Sequence, residues 1–170
     1  MTVGICSKKL RFFALLCFTT MLLGLVGCGQ GESLEEKGRD FVKTVLAAPS
    51  DQFAQIEALQ SGPKNMEEYE KAVTQAMEDL CGGSVSKEAL ANTGGTLYQN
   101  ILLHQVMAVM KNTTYEVGEV TVTKAGEERN YHYQAEITAS NAEEPYLLIG
   151  SIQFNEDGLI NYFSMKEPRE

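Results

Sequence analysis

"TLYQNILLHQVMAVMKNTTYEVGEVTVT", running from Thr96 to Thr123, changes its hydrophobic period midway. Up to Lys111 the apolar residues recur at helical spacing: Leu97, Tyr98, Ile101, Leu102, Val106, Val109 and Met110. After Asn112 the spacing falls to two. A 3.6-residue period followed by a two-residue period marks a helix passing into a strand. Everything upstream of this junction reads as helices and everything downstream as strands. That order predicts the α+β class, with N-terminal helices packed on one face of an antiparallel sheet of about four strands.

Upstream, Ser33 with Glu36 three residues on is a capping-box signature. A helix is expected from there, with Leu34, Phe41, Val42, Val45 and Leu46 on one face and Pro49 as its stop. Ser50-Asp51 predicts a second short helix with Phe53, Ile56 and Leu59 inward. Ser61-Gly62-Pro63 breaks the chain again. Asn65 and Glu68 predict the next cap, followed by Tyr69, Val73, Ala76, Met77 and Leu80, with Gly82-Gly83 at the end. Ser86 to Leu90 reads as one further turn. In the apolar helix from about Gly95 to Lys111, Asn100, His104 and Lys111 line up as a narrow wedge, expected to face solvent.

Downstream, Thr114 to Thr123 reads as a strand whose phase slips at Gly118-Glu119, which predicts a bulge. Tyr131, Tyr133, Ala135, Ile137 and Ala139 alternate with Asn130, His132, Gln134, Glu136 and Thr138, so the next strand has one apolar and one polar face. Tyr146 to Phe154 and Leu159 to Met165 are the third and fourth, joined by Asn155-Glu156-Asp157-Gly158 with Gly158 left-handed. Ile152, Phe154, Ile160 and Tyr162 are expected inward. The polar positions Asn130, His132, Gln134 and Glu136 are the candidate binding surface.

The N-terminus carries a different signal. Lys8, Lys9 and Arg11 precede a nearly continuous apolar run from Phe12 to Val26, short for a span of about 20 residues. The run ends in Leu25-Val26-Gly27-Cys28, which resembles the lipobox of bacterial lipoproteins. The resemblance implies a diacylglyceryl group on the Cys28 thiol and cleavage between Gly27 and Cys28. Acyl chains of the palmitate kind would then hold the protein on the extracytoplasmic face of the cell membrane, or of an outer membrane in a diderm host. Two chains anchor durably where one is marginal. The expected organisation is a signal peptide (1–27), a lipidated N-terminus and short tether (28–32), one α+β domain (33–166) and a tail (167–170). The tether spans at most ~18 Å at ~3.6 Å per residue, which keeps the domain near the membrane.

Cysteine and charge agree with that plan. The chain has 4 cysteines. Cys6 and Cys17 fall in the signal segment and Cys28 is the lipid site, so Cys81 alone remains in the domain and is expected to be a buried structural thiol. The full chain carries a net charge of −9, and loss of Lys8, Lys9 and Arg11 takes the mature protein to −12. Such an acidic domain excludes nucleic acid as a partner.

Helices followed by an antiparallel meander that closes on "FNEDGLINYFSM" resemble the NTF2-like or cystatin-like α+β domain, in which a curved sheet wraps helices as a cone. That resemblance covers roughly Ser33 to Met165 and implies a pocket. Some members, of the isomerase and hydrolase kind, place a carboxylate in the cone as a base. No acid falls on the inward positions named above. There is no G-x-S-x-G elbow, H-E-x-x-H or C-x-x-C, and Gly82-Gly83 and Gly94-Gly95 lack a phosphate-loop pattern. His104 and His132 are placed on polar faces. The reading is therefore a lipid-anchored, non-catalytic domain that binds a membrane-proximal envelope protein or a small ligand, without cofactor or metal. The alternatives are an NTF2-like enzyme of isomerase or hydrolase type and a cystatin-like structural or inhibitory module.

Overall fold

The computed structural model describes residues 32–166 apart from 57, 58, 60, 63 and 127. Residues 1–27, Gly27 and Cys28 of the cleavage site, the tether through Gly31, and the tail 167–170 lie outside the described residues. The described elements belong to one compact unit beginning at Leu34. They are α1 (Leu34–Leu46), α2 (Asp51–Ala54), α3 (Met66–Cys81), α4 (Lys87–Ala91) and α5 (Thr96–Met110). The strands β1 (Tyr115–Lys124), β2 (Asn130–Ala139), β3 (Tyr146–Phe154) and β4 (Ile160–Lys166) follow. The protein is α+β: the strands form one open antiparallel sheet in the order β1-β2-β3-β4, and the helices pack against it.

The boundaries follow from local chemistry. Asn65 caps α3, its side-chain oxygen accepting from the Glu67 N–H at 3.0 Å and the Glu68 N–H at 3.5 Å. This satisfies donors that the first turn of a helix leaves open. Ser86 caps α4 by accepting from the Ala89 N–H. In the β3–β4 turn, the Gly158 N–H donates to the Asn155 carbonyl and Gly158 has a φ of 73°, a conformation glycine adopts freely. The predicted bulge is present as a register shift between Val117 and Val120.

The core lies between the helices and one sheet face. α1 packs on β1 and β2, and α5 on β4. Phe41, Val42, Val45 and Leu46 of α1 meet Tyr133, Ile137, Ile152 and Phe163 of the sheet in one buried cluster. Each such side chain contributes roughly 1.5–3 kcal/mol on burial. Phe53, Ile56 and Leu59 are buried as expected. The Phe163 ring stacks on Tyr133 and meets Phe41 edge-on, joining β2, β4 and α1.

Two expectations are corrected. The wedge of α5 does not face solvent as a unit. The Asn100 oxygen accepts from the Met165 N–H at 3.2 Å, and the half-buried His104 donates from Nε2 to the Leu46 carbonyl at 2.9 Å. The outward face instead carries Leu103 and Met110, 62% and 65% exposed. Tyr162 is also turned outward, at 39% exposure, and Phe163 takes the inward place. The cause is a register shift between Gln153 and Phe154, which reverses the phase of β4 after Ile160.

Candidate functional site

Because side chains alternate across a strand, the sheet face away from the helices is built from every second residue. The register aligns these residues into rows running across the strands. Thr121, Gln134, Ile149 and Lys166 form one row, from β1 to β4. Thr123, His132, Ser151 and Ser164 form the adjacent row. Asn130, Gln153 and Tyr162 lie beyond on one side, and Glu136 with Leu147 on the other.

The two central rows line a groove of about 520 Å³. Of the four residues expected to form a binding surface, His132 and Gln134 lie in the groove. Asn130 and Glu136 share the face but flank it. Asn130 is engaged locally, donating to the Glu128 carboxylate at 3.1 Å. Thr121, Thr123, Ile149, Ser151, Ser164 and Lys166 join them, with Tyr133 and Gly150 also lining the groove, and the sequence alone does not single these six out. Alternation signals which face each residue occupies, but only the strand register says which ones are neighbours.

The chemistry of the groove is that of recognition. His132 Nδ1 lies 3.1 Å from the Ser151 hydroxyl, which leaves Nε2 turned to other partners. The Gln134 amide has no hydrogen-bond partner among the described residues. Among the described residues that line the groove, Lys166 is the fixed cation, Ile149 is aliphatic and none is a carboxylate. Hydroxyls, an amide, an imidazole and one ammonium suit a polar group rich in acceptors, such as a peptide backbone or a carboxylate. Among the described residues, no group of three or more His, Cys, Asp and Glu is placed to hold a metal ion.

The other polar groups within the fold are turned to structure. Gln105 of α5 is wholly buried. Its amide nitrogen donates to the Val45 carbonyl at 3.0 Å and the Ala47 carbonyl at 3.2 Å, and its oxygen accepts from the Ser50 N–H at 2.7 Å. It thereby satisfies backbone groups left open where α1 ends and the chain turns into α2. His104 stacks on Tyr115 beside the same corner, with centroids 5.0 Å apart, and burial lowers its pKa. The Tyr133 hydroxyl donates to the Ser164 carbonyl at 3.0 Å, and burial raises its pKa. Burial pushes the Cys81 thiol up to about 12, so it stays protonated and a poor nucleophile at neutral pH.

Among the described residues no helix is long and apolar enough to cross a membrane. Comparison with known protein families, with curated proteins and with solved structures finds no match for this chain.

Proposed function

We propose that this protein is an extracytoplasmic lipoprotein, anchored through lipid on Cys28, whose NTF2-like α+β domain is non-catalytic and binds a membrane-proximal partner on the outer face of its sheet. The observation that carries the binding reading is the groove formed by the two central cross-strand rows. Its Gln134 amide is open, whereas the Gln105 amide in the interior is engaged. The anchor reading rests on Leu25-Val26-Gly27-Cys28 at the end of a complete apolar run. The mature charge of −12 gives the domain no attraction to anionic headgroups, so membrane attachment falls to the lipid.

A short tether fits a partner in or against the same membrane. A groove without carboxylates fits an acceptor-rich surface, such as an exposed strand edge or a carboxylate-bearing segment. The residues that close the interior support the non-catalytic reading. Tyr133 and Gln105 are buried there, and both are engaged by backbone.

Two measurements test the proposal. Mass spectrometry of the membrane fraction should find diacylglyceryl-modified Cys28 as the first residue, and Cys28→Ala should leave the precursor uncut. An unmodified Cys28 thiol in mature protein would contradict the anchor. A photoreactive residue at Gln134 should crosslink an envelope partner in whole cells, and one at the exposed Glu70 of α3 should not. Equal crosslinking from both positions, or none from Gln134, would contradict the binding face.

A further inference from the structure

A second cavity, of about 710 Å³, lies between α3, α4, the first turn of α5 and the residue leading into β4. Met77, Val85 and Leu90 give it apolar walls, and Tyr98 lines it as well. Glu78 and Lys87 stand at its exposed rim. The volume is within the roughly 300–1,000 Å³ range of small-molecule sites.

Tyr98 is the informative residue. Its side chain is only 4% exposed, yet its hydroxyl has no hydrogen-bond partner among the described residues. A buried phenol normally finds a partner, as Tyr133 does at the Ser164 carbonyl. Nor is the Tyr98 oxygen sealed into the protein. Among the described residues, the fully buried side-chain polar atom without a partner is Ser50 Oγ. The Tyr98 hydroxyl therefore keeps some accessible surface, and Tyr98 is among the residues that line the cavity.

We propose that this cavity binds a small uncharged molecule, mainly apolar, with one hydroxyl or carbonyl group that hydrogen-bonds to the Tyr98 hydroxyl. The walls exclude a charged head, because an ion held against Met77, Val85 and Leu90 loses its water without gaining a counter-ion. At the rim, Glu78 and Lys87 cancel, so neither sign of ligand is selected there. The acidic domain further disfavours an anion. A buried phenol among mainly apolar walls, with Thr74 and Thr93 also lining the cavity, matches a hydrogen-bonding group on an apolar body. The sheet groove, with its several polar groups, suits a different partner.

The test uses the full chain with carbon-13-labelled methionine methyls and three probes of one shape: 1-adamantanol, adamantane-1-carboxylate and adamantane-1-ammonium at pH 7. The alcohol should shift the Met77 methyl saturably and leave Met66, 56% exposed on α3 outside the cavity, unmoved. The two ions should bind at least about tenfold more weakly, since an uncompensated charge in an apolar site costs more than the roughly 1.4 kcal/mol that a factor of ten represents. Tyr98→Phe keeps the ring and removes no internal bond. It should weaken the alcohol about 5- to 10-fold, the effect of one hydrogen bond. Ala91→Trp, at an exposed position on the cavity wall, should block all three probes without touching the core. The proposal is overturned by equal shifts at Met77 and Met66, by equal affinity for the three probes, by no binding of the alcohol, or by unchanged binding in both variants.

Discussion

Gln105 and Gln134 are the same residue in opposite circumstances. Gln105 is wholly buried, and both ends of its amide are engaged by the backbone between Val45 and Ser50. Gln134 is exposed, and its amide has no hydrogen-bond partner among the described residues. Two other pairs repeat the contrast. His104 is stacked and bonded to a carbonyl at the α1–α2 corner, whereas His132 stands on the open sheet face, where it meets only the Ser151 side chain among the described residues. The Tyr133 hydroxyl is engaged and the Tyr98 hydroxyl is not. The difference teaches which polar groups hold the fold and which are left for a partner. A buried amide costs free energy unless its bonds are made, so Gln105 belongs to the structure. An exposed amide has water in place of a partner, and a ligand can displace that water at little cost.

The sharpest way to disturb the engaged side is at Gly150, where the Tyr133 ring crosses β3 to reach Ser164. A Cβ at Gly150 would collide with the Ser164 carbonyl oxygen and meet the Tyr133 ring at 2.5 Å. Backbone oxygen cannot yield as a side-chain tip can. Gly150→Ala should therefore cost about 2–3 kcal/mol, in the upper part of the overpacking range, as measured by urea unfolding. A wild-type midpoint in that variant would show that the Tyr133 contact is loose.

A smaller effect is expected at the Tyr133 hydroxyl itself. Tyr133→Phe removes the donor and leaves the stacking on Phe163 intact, for a loss of about 1 kcal/mol. Tyr98→Phe should leave the unfolding midpoint where it is, because that hydroxyl makes no internal bond. Equal losses in the two variants would erase the contrast between engaged and open phenols.

The histidines sharpen the comparison through pH. Burial lowers the folded-state pKa of His104 below its ordinary 6.5. As pH falls below about 6.5, the unfolded chain takes up this proton first. The contribution of neutral His104 is present above that pH and is lost as pH falls through the folded value. Wild type should lose more stability between pH 7 and pH 5 than His104→Asn, in which the carboxylates titrate alike and the imidazole is gone. Parallel curves would place His104 in solvent.

The smallest thermodynamic effect is expected at Cys81, where the readout is a rate. A thiol buried at the C-terminal end of α3 and pushed up to about 12 should react with iodoacetamide at pH 8 only as fast as the protein opens. Alkylation at the rate of a free thiol under native conditions would contradict that burial.

Element order, the bulge at Gly118-Glu119, the cap at Asn65 and the inward face of β2 are all legible in the sequence, because each is set by local chemistry or a two-residue period. The setting of α5 was not. A helix apolar on nearly every side gives periodicity little to choose with, and Asn100, His104 and Lys111 read as its solvent side. In fact Asn100, His104 and Gln105 meet backbone groups of β4 and α1. One signal was available: Pro49 ends the first helix and leaves its last carbonyls in need of donors, which a buried polar side chain from elsewhere must supply. The inward Phe163 was missed because the shift at Gln153 and Phe154 reverses the alternation. The groove was only half legible. His132 and Gln134 could be assigned to a face, but Ile149 and Lys166 join them through a register that no single strand encodes.

The most direct test of the account is one pair of thermal melts, Gln105→Leu against Gln134→Leu, each near the wild-type volume. The first should lose about 2–4 kcal/mol, because the buried Val45 carbonyl and the part-buried Ala47 carbonyl and Ser50 N–H lose their partner. The second should stay within about 0.5 kcal/mol of wild type, as exposed substitutions do. Equal losses in the two variants, or a stable Gln105→Leu, would contradict the division between polar groups that hold the fold and polar groups left open for a partner.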